Sequence, residues 1–276
     1  MCEFCDAKYI RDPDTFDTWF SSGQWPFVTL GYPDEEDFKN FYPTDVMETA
    51  GEIIFFWVSR MIMLGLYVTK KVPFKTVYLH GLVLDAKGLK MSKSKGNVID
   101  PLVLTDKYGT DAFRMGMVVG NTPGTSLALE EDRIRGYKNF ANKLWNITRF
   151  ILENTKGEKL ENDFPDKNQF DEKIRAERKL FLEDITMDME NMRFYLVAEK
   201  LYHYTWHTFA DKIIEESKII LEKGGDEEKA RRKQFLLHTL DKLLKVLHPF
   251  IPFVTEEIWS MMPNRKNLLM IEKWPC

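Results

Sequence analysis

The sequence has 276 residues, 44% hydrophobic and 30% charged, enough to bury a sizeable core distributed over two domains. Its 39 Lys and Arg against 43 Asp and Glu give a net charge of −4, which excludes a generally polyanion-coating surface and leaves any nucleic-acid contact to local clusters. Cys2, Cys5 and Cys276 are too few and too terminal for a disulfide framework, so a reducing compartment is expected.

Met1 to Asp6 has neither the basic head nor the apolar run of a signal peptide. The most apolar stretch, Ile53 to Val68, is short and carries Ser59 and Arg60, so no membrane span is expected. Cys2-x-x-Cys5 reads as one half of a zinc knuckle whose second pair the sequence does not hold, which suggests a site begun upstream of Met1. Asp17 to Pro26 is aromatic with short polar groups and reads as a loop; Trp19 and Trp25 either pack there or wall a small apolar pocket. Val46 to Thr49 predicts a short strand, Ala50-Gly51 a tight turn, and Glu52 the start of a helix. Ile53, Ile54, Phe56, Trp57, Met61 and Leu64 make that helix apolar nearly all round, so it is expected to be buried. Strand, turn and helix form the unit of an open α/β sheet, where ligands gather at the carboxyl ends of strands.

Val77 to Leu84 predicts the next strand, and Asp85-Ala86-Lys87-Gly88 a turn. Lys90-Met91-Ser92-Lys93-Ser94 follows, with Lys95-Gly96-Asn97 behind it. Lysines on flexible stems, separated by serines and followed by glycine, suit a mobile loop presenting ammonium groups to a polyphosphate. The plainer alternative is a solvated basic turn. Asp100-Pro101 predicts a helix start, with aspartate as cap and proline first, and Thr110 is expected to cap a helix from about Asp111 to Val119.

Beyond Gly120-Asn121-Thr122-Pro123-Gly124 the pattern predicts helices and no strand. Residues 133 to 152 hold Arg133, Arg135, Lys138, Lys143 and Arg149 and no acid. At helical spacing Tyr137, Phe140, Ala141, Leu144, Ile147 and Ile151 share one face, and Lys138, Asn142, Trp145 and Arg149 share the opposite one. That stripe is either a solvated helix surface or a surface for an RNA backbone. Asn154 to Phe170 reads as a linker, and long helices are expected over about 171–191, 194–223 and 230–247, the logic of a bundle. His248-Pro249-Phe250-Ile251-Pro252-Phe253 should stop the last of these, and Thr255 to Trp259 should start a short helix.

Taken together, these motifs resemble the class I aminoacyl-tRNA synthetases and, within them, the valyl enzymes. Lys90 to Ser94 matches the family's KMSKS signature letter for letter, and Lys95 to Pro101 matches its extension. Asp17 to Ser22 is similar to the DTWFSS segment, Ile53 to Trp57 to the helix after the family's strand-turn, Asn139 to Asn146 to the start of its helical region, and His248 to Trp259 to its anticodon-domain signature. Two features depart from the family. No His-x-Gly-His occurs, since His80-Gly81 is followed by Leu82; and Ala50-Gly51-Glu52 stands where Gly, an aromatic and Asp are common.

The resemblance implies a fold and a division of the chain. Residues 1–16 would be the remnant of an upstream zinc-knuckle region, 17–124 the second half of a Rossmann-like nucleotide-binding α/β fold, 125–165 a stem-contact junction and linker, and 166–276 an all-α anticodon-binding bundle. The implied activity is ATP-dependent ligation of valine to tRNA(Val) through valyl-adenylate, by a chain expected to be an inactive fragment alone. An isoleucyl enzyme fragment and a non-catalytic tRNA-binding module are the alternatives. Lys90 and Lys93 would be catalytic; Lys90, Ser92, Lys93, Glu52 and His80 would bind ATP with its Mg2+; Trp19, Ile53 and Trp57 would line the valine pocket. Arg133, Lys138, Asn142, Trp145 and Arg149 would contact tRNA. Zn2+ would be shared by Cys2 and Cys5 with upstream residues. A cytoplasmic monomer without membrane partner completes the expectation.

Overall fold

A computed structural model describes residues 11–160, 169–265 and 267–275. The chain divides into two compact units. One comprises the described residues up to Leu82 with Pro123–Ser126; the other comprises Val83–Thr122 and the described residues from Leu127 onward. Cys2, Cys5 and Cys276, and with them the expected zinc half-site, lie outside the described residues.

The first unit opens with α1 (Thr18–Gly23), α2 (Trp25–Val28) and α3 (Glu36–Phe41). Helices thus stand where Asp17 to Pro26 reads as a loop. The Asp17 carboxylate accepts the Trp19 N–H at 2.7 Å and caps α1, and Pro26 sits at the start of α2, where its missing N–H costs nothing. Strand β1 (Thr44–Ala50) runs parallel to β2 (Phe74–His80), with Val46 opposite Thr76 and Ala50 opposite His80. Parallel neighbours need a crossover. It is a continuous helical run: a 3-10 turn (Gly51–Ile53), a π-helical stretch (Ile54–Val58) and α4 (Ser59–Thr69).

That run was expected to be buried, and most of it is not. Val58, Met61 and Gly65 are buried, and Val58 and Met61 pack with Met47 and Phe74 of the strands, but Phe55, Phe56, Met63, Leu66 and Tyr67 face outward. The reason is geometric: a two-stranded sheet covers one stripe of a helix whose apolar residues run all round. Gly51–Thr69 is also long and apolar enough, by composition and length alone, to cross a membrane, despite Ser59 and Arg60. Its place in the fold is that of a crossover between parallel strands. The unit closes where Gly124 donates its N–H to the Leu79 carbonyl at 2.8 Å.

The second unit starts with β3 (Val83–Leu84), separated from β2 instead of continuing it. A 3-10 turn (Lys93–Lys95), α5 (Pro101–Tyr108) and α6 (Thr110–Val118) follow. Asp100 caps α5 as expected, accepting the Leu102 N–H at 2.9 Å. Gly109 takes the cap position before α6, with φ +92°, and Thr110 is already helical. A short β4 (Leu127–Ala128) pairs in parallel with β3, in the region expected to hold helices alone.

The rest is a helix bundle: α7 (Glu131–Asn154), α8 (Gln169–Glu190), α9 (Phe194–His203), a π-helical segment (Tyr204–Ile214) continuous with α10 (Glu215–Lys223), α11 (Asp226–Leu247) and α12 (Pro252–Met261). The spacing-derived face of α7 is the buried one: Phe140, Leu144, Ile147 and Ile151 enter the main core beside Leu240, Leu244 and Leu247 of α11. A smaller core of Leu104, Tyr108, Ala112, Leu129 and Ile134 lies where α5, α6 and α7 meet. Its partly buried margin includes Val83 and Ile99.

Candidate active site: a lysine loop and a strand-end cluster

In the first unit the expected ATP contacts fall at one end of the sheet. His80 is the last residue of β2 and the register partner of Ala50, which ends β1; Glu52 follows two residues later in the 3-10 turn. Both groups therefore stand at the carboxyl ends of parallel strands, where an open α/β sheet collects its ligands. The His80 Nδ1 lies 2.9 Å from the Gly81 carbonyl, and Nε2 lies 3.5 Å from Glu48 Oε1. Glu48 is a residue that motif reading did not single out; its alternation with Ala50 along β1 was the available signal.

The expected valine-pocket residues are brought together in part. The Trp57 indole N–H donates to the Ser22 carbonyl at 3.0 Å, which ties the crossover helix to α1. Trp19, on α1, stacks on Phe56 at 5.8 Å, and the Arg60 guanidinium lies 5.7 Å from its ring centroid. A cleft of about 280 Å³ is lined by Trp19 together with Asp17, Phe20, Arg60, Met63 and Leu64. Ile53 and Trp57 do not line that cleft; Trp57 instead neighbours Trp25, ring to ring at 6.1 Å.

In the second unit the lysine loop is a built structure. Lys90, Lys93 and Lys95 are exposed. Beneath them, Leu84 and Lys90 pair antiparallel across the Asp85–Gly88 turn. Asp85 Oδ1 accepts the N–H groups of Lys87 at 2.9 Å and Leu89 at 2.8 Å. Its Oδ2 accepts the Asn97 side-chain amide at 2.8 Å. The Asn97 hydrogen bond, with help from the Leu89 N–H, holds the Asp85 carboxyl below the usual carboxylate range. Asn97 also accepts the Ser92 N–H at 3.0 Å and donates to the Lys90 carbonyl at 3.3 Å. Ser92 and Ser94 share a hydroxyl contact of 3.2 Å, and Gly96 takes φ +63°, a left-handed turn that favours glycine. Asp85 and Asn97 are thus the loop's frame. Sequence reading placed one in a turn and the other in a signature extension, and the side-chain pairing needed the fold.

The stripe on α7 is where helical spacing puts it. Lys138, Asn142, Trp145 and Arg149 are all exposed, on the side opposite the buried face. Arg133 is half-buried, hydrogen-bonded to Tyr137 and close to Gly120. Lys138 donates to the Lys107 carbonyl at 3.3 Å, and Arg149 lies 3.7 Å from Glu153, an acid just past the acid-free stretch. Trp145 and Arg149 border a mostly apolar cavity of about 300 Å³ with Leu152 and Met261. Among the described residues no group of three or more His, Cys, Asp or Glu could hold a metal ion.

Parallel strands with a helical crossover, a framed lysine loop and an adjoining helix bundle define a class, and comparison with known proteins agrees. Residues 3–130 match the family of class I tRNA synthetases for isoleucine, leucine, methionine and valine, and residues 171–276 match the anticodon-binding domain of tRNA ligases. The chain belongs to the class I aminoacyl-tRNA synthetases. Its relatives within that class include the valine–tRNA ligase of Pelagibacter ubique, 45% identical over 98% of this chain and 31% of that protein. The valine–tRNA ligase of Clostridium tetani is 43% identical over 99% of this chain and 32% of that protein. The chain therefore spans about a third of the length of these curated relatives. Among solved structures, an Agrobacterium radiobacter K84 leucyl enzyme, crystallised in a ternary complex with tRNA and LeuAMS, superposes with a TM-score of 0.75. At 24% identity, over 99% of this chain and 34% of that one, it shows the shared fold: a Rossmann-like catalytic portion followed by a helix bundle.

Proposed function

We propose that this chain supplies the lysine-loop portion of the catalytic fold and the anticodon-binding bundle for ATP-dependent ligation of valine to tRNA(Val). The observation that carries this reading is the loop itself: Lys90 and Lys93 are exposed on a turn held by Asp85 and Asn97. The choice of valine rests on the identity of the relatives.

In the first step a valine carboxylate oxygen attacks the ATP α-phosphorus; the bond to the oxygen bridging to the β-phosphate breaks and pyrophosphate leaves, and magnesium held by the phosphates would supply further charge neutralisation. Such chemistry needs charge stabilisation more than covalent help. Lys93, and behind it Lys90, neutralise charge building on the departing pyrophosphate; Ser92 positions a phosphate oxygen. Glu52 accepts hydrogen bonds from the adenosine ribose, and His80 contacts the nucleotide at the strand ends. Trp19, Ile53 and Trp57 contribute apolar surface to the valine side-chain site. In the second step a terminal ribose hydroxyl of tRNA attacks the valyl carbonyl, and AMP leaves. Arg133, Lys138, Asn142, Trp145 and Arg149 meet the tRNA backbone through charge and stacking. The enzyme acts as a cytoplasmic monomer.

The test is a chimera in which this chain replaces the matching stretch of the Pelagibacter ubique ligase. Valine-dependent ATP–pyrophosphate exchange is the expected result. A folded chimera that is inert, or that follows isoleucine, overturns the reading. The chain alone is expected to give no exchange.

A further inference from the structure

The cavity of about 300 Å³ bordered by Trp145 and Arg149 lies between α7 and the end of α12. Trp145, Thr148 and Leu152 follow one another at steps of three and four residues, so one face of α7 forms most of its wall. Met261, the last residue of α12, stands across from them. In the middle of that face, Thr148 is 1% exposed, and its hydroxyl oxygen has no hydrogen-bond partner among the described residues. A threonine in or just after a helix commonly gives its hydroxyl to the carbonyl four residues back. Thr155 reaches Ile151 at 2.8 Å, Thr186 reaches Leu182 at 2.6 Å and Thr239 reaches Phe235 at 2.8 Å. Thr148 makes no such bond. A buried hydroxyl without a partner carries a desolvation cost that a bound group relieves.

The rim of the cavity is charged. Arg149, Glu153 and Lys156 line it and are exposed, two cations to one anion. Arg149 lies 3.7 Å from Glu153, which leaves the rim a net positive charge. A volume of about 300 Å³ is the small end of ligand sites, so one ring system enters and the rest of a ligand stays at the rim. A hydrocarbon would fill the space and leave the Thr148 hydroxyl unpaired. A sugar would set its hydroxyls against Trp145, Leu152 and Met261. A planar base satisfies every wall: its face stacks on Trp145 and its edge pairs with the Thr148 hydroxyl. Its phosphate stays outside, beside Arg149 and Lys156.

We propose that the cavity between α7 and α12 binds one nucleotide, base inward and phosphate at the rim. A free nucleoside monophosphate and an unpaired nucleotide of an RNA strand present this same chemistry. The RNA source rests on the reading of α7 as a tRNA surface; the free source does not.

Photocrosslinking of this chain tests the site, with 8-azidoadenosine monophosphate in one arm and a tRNA(Val) transcript carrying 8-azidoadenosine in the other. Peptide mapping is expected to place the label between Trp145 and Leu152 or at Met261. Thr148→Val keeps the shape and removes the hydroxyl, and should lower that labelling about tenfold, the size of one hydrogen bond to a ligand. Thr148→Ser keeps the hydroxyl and should label like the parent. Should Thr148→Val fail to fold, Arg149→Gln combined with Lys156→Gln at the exposed rim takes its place. AMP is expected to compete about tenfold better than adenosine in the parent and equally in that double variant. Label from the monophosphate alone supports a free nucleotide, and label from the transcript alone supports an RNA nucleotide. No label at these residues from either source overturns the proposal, as does equal labelling of the parent and Thr148→Val. A transcript that does not bind the chain in a filter assay overturns the tRNA reading of α7, a separate outcome, and the monophosphate arm then decides the cavity.

Discussion

The Asn97 side-chain amide donates to the Asp85 carboxylate at 2.8 Å and to the Lys90 carbonyl at 3.3 Å, closing the base of the lysine loop between residues twelve apart in sequence. Both bonds run between groups at or near the surface, so their role is geometric: they hold the turn that carries Lys90 and Lys93. Asn97→Ala is expected to leave the melting temperature unchanged and to speed amide exchange at Ser92, whose N–H loses its acceptor. Unaltered exchange at Ser92 would show that the loop holds its shape without this pair.

Lys93 is the residue on which activity should depend most. In the chimera described above, Lys93→Ala is expected to lower the exchange rate about a hundredfold, the loss typical of one stabilising group on a developing anion. Lys95→Ala should change it less than threefold if that side chain is only solvated, within the range of ordinary surface substitutions. Steady-state exchange with saturating valine and ATP separates the two, and equal losses would remove the special role given to Lys93.

Gly81 and Gly136 make opposite stability predictions. A Cβ at Gly81 would lie 1.6 Å from the Thr125 carbonyl oxygen and 2.3 Å from its carbon, backbone atoms that cannot step aside. Gly81→Ala should cost the first unit about 3 kcal/mol, the upper range for overpacking. Gly136, inside α7, has nothing within 4 Å of such a Cβ, so Gly136→Ala should raise stability by about 0.8 kcal/mol through helix propensity. Chemical denaturation of the two variants beside the parent reads both signs.

Asp188 is 2% exposed and receives Lys200 at 2.7 Å and Arg193 at 2.7 Å. Asp188→Ala removes an acceptor shared by two cations, but Lys200 keeps its pairing with Asp184 at 2.5 Å, and Lys200 and Arg193 keep 33% and 40% side-chain exposure, so Asp184 and water take over part of the pairing. The expected loss is about 2 kcal/mol, below the 3–5 kcal/mol or so of a fully buried pair. A urea midpoint equal to the parent's would mean that the pair contributes nothing.

His248 sets a pH dependence. Burial holds its imidazole below the ordinary range, with Arg114 acting the same way and Glu256 and Asp111 opposing. Its Nδ1 lies 2.9 Å from the Thr255 hydroxyl. A histidine depressed in the folded state favours folding above its unfolded pKa of about 6.5, and that contribution is lost as pH falls through the folded value. The urea midpoint should therefore drop between pH 7.5 and pH 5.5 (about one unit either side of the unfolded value). His248→Gln should flatten that drop; an identical slope in the variant would assign it to other groups.

Much of the chain was decided by local chemistry. The KMSKS letters, the Asp100-Pro101 start of α5 and the four-residue stripe of α7 are set by residue types at fixed spacing, and such signals act within one or two turns of backbone. The bundle follows for the same reason: Phe140, Leu144, Ile147 and Ile151 announce their buried face by period alone. What only tertiary structure decided involves partners distant in sequence. The crossover helix reads as buried because it is apolar all round, yet its burial depends on how many layers pack against it, and two strands cover one face. The helix at Thr18–Gly23 turned on a single Asp17 hydrogen bond in a stretch with loop composition. Likewise β4 is too short to show a period and exists because Leu127 and Ala128 find β3 more than forty residues back. The lysine loop lies on both sides of this division. Its lysines were legible as letters, but the frame of Asp85 and Asn97 rests on a hydrogen bond that forms only when the chain brings those groups together.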